Sequence, residues 1–335
     1  MREQSKAGHS RRTACNVGAF VIAMSLLPGL ASAEDGMFTL KIENDGLASS
    51  DDGHFTSGVE FDWSFAPEDN HWTQRLATAL PEGLIGRADR AAYRLTHQIY
   101  TPDNIRVSEL IEDDRPYAGL VYGGISLYEE VARGNWRQAT DLHFDVGLVG
   151  PSSLADSLQR EAHRVTNSDH PNGWSNQLGD EPIVNAAFRR QWWQPLPFAG
   201  KTFSHGPSVG AALGNLYTYA NGGYGVRWGD EGTGLPSMTP NPGMRQTFTQ
   251  ENGFRWYLFA SVEGYYMAHN LTLDGNTFKN SHSVDRREWV GDVMGGVALA
   301  WDAWQMTYTA VSRTREFHGQ EESDSFGMIT LARTF

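Results

Sequence analysis

From Phe55 to Phe65 the chain reads FTSGVEFDWSF, and its character changes at almost every step. Phe55, Ser57, Val59, Phe61, Trp63 and Phe65 fall on one side; Thr56, Gly58, Glu60, Asp62 and Ser64 fall on the other. Successive side chains of a strand point to opposite faces, so this stretch predicts a β-strand with one apolar and one polar face. The same period runs through Phe38–Asp45, where Lys41, Glu43 and Asp45 oppose Leu40 and Ile42. It recurs near 93–101, 117–128, 138–149, 183–193, 203–214, 222–229, 254–268, 286–300, 304–315 and 324–335, giving about twelve strands.

Soluble sandwiches alternate as well, but a closed barrel in a membrane turns its apolar face to lipid and its polar face inward. Aromatic residues crowd the predicted strand ends (Tyr117, Tyr122, Trp192, Trp193, Tyr265, Tyr266, Trp301, Trp304), as interfacial girdles require. The chain closes on Phe335 after an alternating strand. The pattern therefore predicts an all-β fold, a transmembrane antiparallel β-barrel of about twelve strands with a short helix in an extracellular loop.

The first residues are expected to be a signal peptide. Arg2, Lys6, Arg11 and Arg12 precede the short apolar run Val17–Leu30, and Ala31-Ser32-Ala33 has the small-residue cleavage pattern. Residues 1–33 are thus read as a leader and 34–335 as one outer-membrane barrel domain. The only cysteine, Cys15, lies in that leader, so the mature barrel must rely on packing and strand pairing. The net charge of −13 argues against nucleic acid, which is bound by neutralising phosphates, and suits a divalent cation or an acidic barrel interior.

With the N-terminus in the periplasm, alternate connections fall outside the cell: 46–53, 102–116, 150–182, 215–221, 269–285 and 316–323. The segments 129–137, 194–202 and 301–303 become short periplasmic turns. Two long stretches, 66–92 and 230–253, fit this pattern poorly and are expected to hold strand extensions or a short helix.

Ser153–Val165, SLADSLQREAHRV, breaks the two-residue period with a helical one. Ser153 and Asp156 form a capping-box pattern after Pro151, and Gln159 and His163 lie one turn apart on a shared face. By strand parity Asn44, Asp45 and Thr56 lie at the same outer rim, with Thr56 facing inward. A helix leaning on the barrel mouth would set His163 beside Asp45 and Thr56. Histidine is suited to take a proton near neutral pH. A carboxylate among amide, hydroxyl and carbonyl oxygens suits a hard cation such as Ca2+. Asn44 or Gln159 could donate to an oxyanion or hold the imidazole tautomer. The alternative for Asp45 is an interior ion pair with Lys41, and a helix carrying a histidine can equally be a plug.

Several motifs make the chain resemble the outer-membrane lipid A 3′-O-deacylases, the LpxR-like family. They include IENDG (Ile42–Gly46), FTSG (Phe55–Gly58), QIYTP (Gln98–Pro102) and DDRPYAGLVYG (Asp113–Gly123). GLVGPSSLADSLQREAHRV (Gly147–Val165), GWSNQLGDEP (Gly173–Pro182) and the RTREFHGQ…DSFG ending complete them. The resemblance implies a twelve-stranded barrel that cleaves the 3′-linked acyl group of lipid A in the outer leaflet with calcium. His163 would be the base, Asp45 a metal ligand, and Asn44, Thr56 and Gln159 further catalytic residues. The partners implied are lipopolysaccharide as substrate and outer-membrane lipid around a monomer. One departure stands out: the family's active-site lysine after Y-[ST]-P has no counterpart, and Arg106 is the nearest cation. Arginine and lysine are not interchangeable. Asp114 and Arg115 of DRPYAG are expected to pair and fix their loop rather than touch substrate phosphate.

Two other readings are compatible with the sequence. One is an outer-membrane phospholipase or esterase with a serine nucleophile, Ser57, Ser152, Ser153 or Ser157 being available. The other is a non-enzymatic pore or adhesin whose helix plugs the barrel.

Overall fold

The computed structural model describes residues 36–48, 55–81, 83–230, 232–233, 247–248 and 253–335, with backbone alone at 55, 56, 232, 233, 247 and 248. The expected signal peptide, 1–33, lies outside the described residues.

Twelve antiparallel strands close into a barrel, each hydrogen-bonded to its neighbours in sequence. They are β1 (Met37–Asn44), β2 (Phe55–Phe65), β3 (Arg90–Tyr100), β4 (Ala118–Arg133), β5 (Trp136–Val149), β6 (Glu181–Phe198), β7 (Lys201–Gly214) and β8 (Tyr217–Gly229). After a two-residue ladder, β9 (Gly232–Thr233) with β10 (Thr247–Phe248), come β11 (Phe254–Asn270), β12 (Trp289–Trp301), β13 (Trp304–Arg313) and β14 (Asp324–Thr334). β14 closes on β1 from Met37↔Thr334 to Asn44↔Gly327. Closure leaves the barrel no unpaired edge, the only way strands can cross lipid. Among the described residues no helix is long and apolar enough to span a membrane.

Alternation sorts the side chains as the sequence predicts. Inward positions bury charge in pairs: Lys41 with Glu43 (3.8 Å) and Glu60 (3.6 Å), and Arg94 with Glu60 (3.4 Å) and Asp145 (2.7 Å). Arg189–Glu263 and Arg313–Asp292 extend the network around the interior. Lys41 thus pairs with Glu43 and Glu60, where an Asp45 partner was one expectation. Tyr100, Leu120, Tyr122, Tyr219, Tyr265 and Phe326 fill the space near one rim. Outward positions such as Leu95, Val146, Val184 and Leu213 are exposed to the surroundings of the barrel.

Three expectations need correction. The 215–221 connection is only Asn215–Leu216, because β8 starts at Tyr217, whose N–H is held by the Asn185 side chain (3.0 Å). The turns at 129–137 and 194–202 shrink to two residues each, Gly134 and Gly200 taking positive φ, as tight hairpins require. Half of the predicted girdle is not at the surface: Tyr122, Trp193 and Tyr265 are buried inside the barrel, and Tyr117 packs beneath a loop. Adjacent aromatics on one strand alternate, so only one of each pair can face outward.

The stretch 66–92 does contain a short helix, α1 (Trp72–Ala79). With Ile85 and Ala88 it folds back on the outward residues Ala91, Leu127 and Leu142. The 230–253 stretch contributes the β9–β10 ladder among its described residues.

Candidate functional site

The long connections gather at the opposite rim from α1. There the helix after β5 is α2 (Ala155–Thr166), followed much later by the single turn α3 (Leu271–Asp274). Ser153 is not the N-cap. It ends a 3-10 turn, Pro151–Ser153, and Leu154 in the left-handed region (φ 61°) joins turn to helix. The Ser153 hydroxyl donates back to the Gly150 carbonyl (2.7 Å), while Asp156 pairs with Arg160 one turn on.

The helix docks on the outer face of the wall rather than on the barrel mouth. Ala155 joins outward Ile99 of β3 in one apolar cluster with Ile105, Tyr117 and Trp174. The Ser153 carbonyl is bonded by the outward His97 ring (3.0 Å). Gly119 of β4 is required here: a Cβ on it would stand 2.2 Å from the Cβ of Ala155.

Register links this anchor to the end of β1. Asn44 pairs with Ser57, Ser57 with Ile99, and Ile99 with Gly119. These four positions form one rung across β1–β4, so Asn44 and the α2 anchor share a height on the same rim, about 14 Å apart at ordinary strand spacing. The helix is about 18 Å long, enough to reach along that rung. Thr56 lies where the β2–β3 register shifts, between Phe55 and Ser57, which interrupts the parity that predicted it inward. Its side chain lies outside the described residues.

At the β1 end, Asp45 starts a 3-10 turn, Asp45–Leu47, and is only 4% exposed. One carboxylate oxygen accepts the Gly46 N–H (2.7 Å), and the Asn44 side-chain oxygen lies 2.9 Å from where a Gly46 Cβ would stand. Two hard oxygen donors thus fold around a glycine that leaves them room. This donor chemistry fits a calcium-type cation, whose six to eight oxygens would be completed by turn carbonyls, water or substrate. Among the described residues no group of three or more His, Cys, Asp or Glu side chains forms a ready metal cluster.

On α2, the chemistry of their partners fixes how the Gln159 and His163 side chains are oriented. The Gln159 amide is buried, and its oxygen accepts from the Trp174 indole N–H (2.7 Å). Indole can only donate, so the amide cannot be flipped and its NH2 group must point away from Trp174. That nitrogen is buried and has no hydrogen-bond partner among the described residues. A native group of this kind calls for an explanation, such as a ligand it awaits. One turn on, the His163 Nδ1 lies 2.5 Å from the Asp169 carbonyl, which can only accept. Nδ1 therefore carries the hydrogen of that bond, and Nε2 is left on the free side of the ring.

The loop that delivers these partners is zipped to the β3–β4 connection. Asn172 N–H donates to the Ile105 carbonyl (2.8 Å), its side chain to Arg106 (3.0 Å), and Leu178 N–H to Tyr117 (2.9 Å). Burial pushes the Tyr117 phenol up to about 12, and it donates to the Ile105 carbonyl (3.3 Å). Arg106 is an exposed strap, its guanidinium donating to the Asp169 carboxylate (2.5 Å), a bond that raises its pKa. Asp114 receives the backbone N–H of Asp103 (2.8 Å) and of Arg115 (2.7 Å), fixing the loop. Arg115 is fully buried against Glu316 (3.6 Å), Thr272 (3.2 Å) and the Tyr100 ring. Its role is structural.

Sequence reasoning singled out Gln159 and His163 as candidates but missed what orients them. Trp174 entered only as part of the GWSNQLGDEP motif, and Asp169 was not singled out. Only the GWSN motif hinted at the first. A backbone carbonyl leaves no mark in sequence.

Comparison with known proteins gives two consistent findings. The profile of the family described as "Outer membrane protein LpxR" matches residues 17–335. Among solved structures, LpxR from Salmonella typhimurium superposes with a TM-score of 0.73 at 21% identity, covering 89% of this chain and 100% of that one. The β domain of the Bordetella autotransporter BrkA follows with a TM-score of 0.47 at 10% identity, covering 90% and 100%. A search of curated proteins returned no match.

Proposed function

The chain belongs to the LpxR family of outer membrane proteins, and from that premise we propose that it is a lipid A 3′-O-deacylase. It hydrolyses the ester that holds the 3′-linked acyl or acyloxyacyl group, as a monomer with its site at the outer leaflet.

The observation that carries this reading is the Gln159–His163 pair: a buried amide donor without a partner, beside an imidazole whose tautomer is fixed. His163 Nε2 takes a proton from water as the water oxygen attacks the ester carbonyl carbon. The carbonyl oxygen becomes an oxyanion, and the Gln159 NH2 donates to it; removing one such donor in other hydrolases costs about 10²–10³ in rate. As the tetrahedral species collapses, the C–O bond to the sugar breaks and His163 returns the proton to the departing 3′ oxygen. Asn44 and Asp45 would hold calcium, which supplies positive charge for the same oxyanion.

Two features weigh against the alternatives. Ser152 donates to the Asp180 carboxylate (2.9 Å) and Ser153 to the Gly150 carbonyl (2.7 Å), and neither bond involves a histidine. The helix sits outside the wall, where it cannot plug a channel.

The test is mass spectrometry of lipid A from cells expressing the wild type and His163→Ala. The wild type is expected to remove the 3′ chain and the variant to leave it. Unaltered lipid A with a folded wild-type barrel would refute the reading.

A further inference from the structure

We propose that the outer wall of β4–β7 holds a seat for an acyl chain of the lipid substrate, an inference that rests on the function proposed above. A cavity of about 510 Å³ opens there on the lipid-facing side. Its apolar lining comes from two adjacent rungs. Gly123, Val146 and Val184 form the upper one; Ile125, Phe144, Ala186 and Leu213 form the lower.

The notch follows from sequence. Gly123 contributes no side chain where its rung neighbours contribute isopropyl groups, and Ala186 contributes one carbon between Phe144 and Leu213. The polar residues in the lining are engaged: Asp145 pairs with Arg94 inside the barrel, and the Asn185 oxygen holds the Tyr217 N–H. An occupant therefore meets hydrocarbon.

Position says which hydrocarbon. Gly123 lies four positions along β4 from Gly119, where α2 is anchored, or about 13 Å along the strand. Between them lie the paired outward residues Val121, half-buried, and Leu148, exposed, both apolar, so the seat runs up the wall to the helix that carries His163. Downward the strip stops at Leu127 and Leu142, which the α1 segment covers. A chain attached to an ester at α2 and lying down the wall enters this notch. Lipid tails are as apolar as the wall, so the seat adds packing and orientation rather than hydrophobic driving force. Its signature is chain selectivity.

The notch can be filled without strain at its floor. A Cβ on Gly123 meets only the Arg94 carbonyl, at 3.5 Å, an ordinary contact. We would prepare Gly123→Leu and Ala186→Leu, check folding by heat-modifiable electrophoretic mobility, and follow acyl release from lipid A with long and short 3′ chains. Long-chain release is expected to fall about tenfold, the usual worth of a methylene or two in an apolar pocket, while short-chain release holds. Equal rates in folded variants, or equal slowing of both substrates, would overturn the seat.

A wild type that releases nothing would instead refute the proposed reaction, and the seat is then tested by labelling. A lipid A probe with a diazirine on its 3′ chain should mark 121–125 and 144–148, with Gly123→Leu suppressing the adducts. Equal marking by a diazirine phospholipid, which would identify an ordinary boundary lipid, also overturns it.

Discussion

The barrel carries two helices on the outside of the same wall, one at each rim, and each buries one glutamine. Gln74 of α1 has both ends of its amide satisfied: its NH2 donates to the Ala88 carbonyl (2.6 Å), and its oxygen accepts the Ala88 N–H (3.1 Å). Gln159 of α2 has its oxygen held by Trp174 and its NH2 left bare. The helices differ in their apolar residues too. α1 packs Ala77 into a cluster with Ile85, Leu127 and Leu142, whereas α2 leaves Leu154, Leu158 and Val165 more than half exposed. One helix closes its contacts and the other holds contacts open. An unpaired buried donor costs stability, and the function proposed above gives the one on α2 a use that the satisfied amide of α1 has no need of.

The sharpest way to break this contrast is to delete each amide. Gln159→Leu should lower kcat for 3′ deacylation by about 10²–10³. Stability should move little, because one orphan, Nε2, disappears as another, the Trp174 N–H, is created. Gln74→Leu should do the reverse: it bares both backbone groups of Ala88 and costs about 2 kcal/mol of stability with kcat unchanged. Thermal unfolding and acyl-release kinetics on the same preparations separate the two. Loss of activity in Gln74→Leu, or none in Gln159→Leu, would erase the distinction.

A smaller effect tests how the orphan is aimed. Trp174→Phe keeps an aromatic body and removes the indole N–H that holds the Gln159 amide oxygen. We expect kcat to fall about tenfold, near 1.4 kcal/mol of transition-state stabilisation, with KM nearly constant. An equal fall in kcat and in thermal stability, with KM rising, would mark Trp174 as packing alone.

How much of this was legible beforehand follows from where each signal lives. β2 was plain because its outward Val59, Phe61 and Trp63 oppose inward Glu60 and Asp62. The start of β8 was lost because it inverts that contrast: Tyr217 and Tyr219 point inward, while Thr218, Ala220 and Gly222 point outward. The Q-x-x-x-H spacing on α2 was readable because helical neighbours are set by local geometry. The cap was misread because Ser153 and Asp156 match a capping box by type, yet Leu154 breaks the backbone between them. Trp174 and Asp169 reach α2 only through folding of the 167–180 loop, and no periodicity reports a contact of that kind. The placement of α2 outside the wall depended on a single glycine, Gly119, whose meaning appears only when Ala155 is seen against it.

The smallest effect belongs to the strap across that loop. Arg106 grips the Asp169 carboxylate, but the group that meets His163 is the Asp169 backbone carbonyl. The ion pair is exposed, with side chains 70% and 48% accessible, so water and salt screen it. Loop position is also held by bonds that do not involve its guanidinium, from Asn172 to Ile105 and from Leu178 to Tyr117. Arg106→Ala should therefore slow acyl release less than about threefold, and raising salt should narrow the gap to wild type. A loss of a hundredfold or more would mean that Arg106 touches the substrate, and the contrast between a held histidine and an open glutamine would have to include a third participant. Arg106→Lys sorts the outcomes, since a strap needs only a charge in reach whereas bidentate phosphate recognition needs the planar fork.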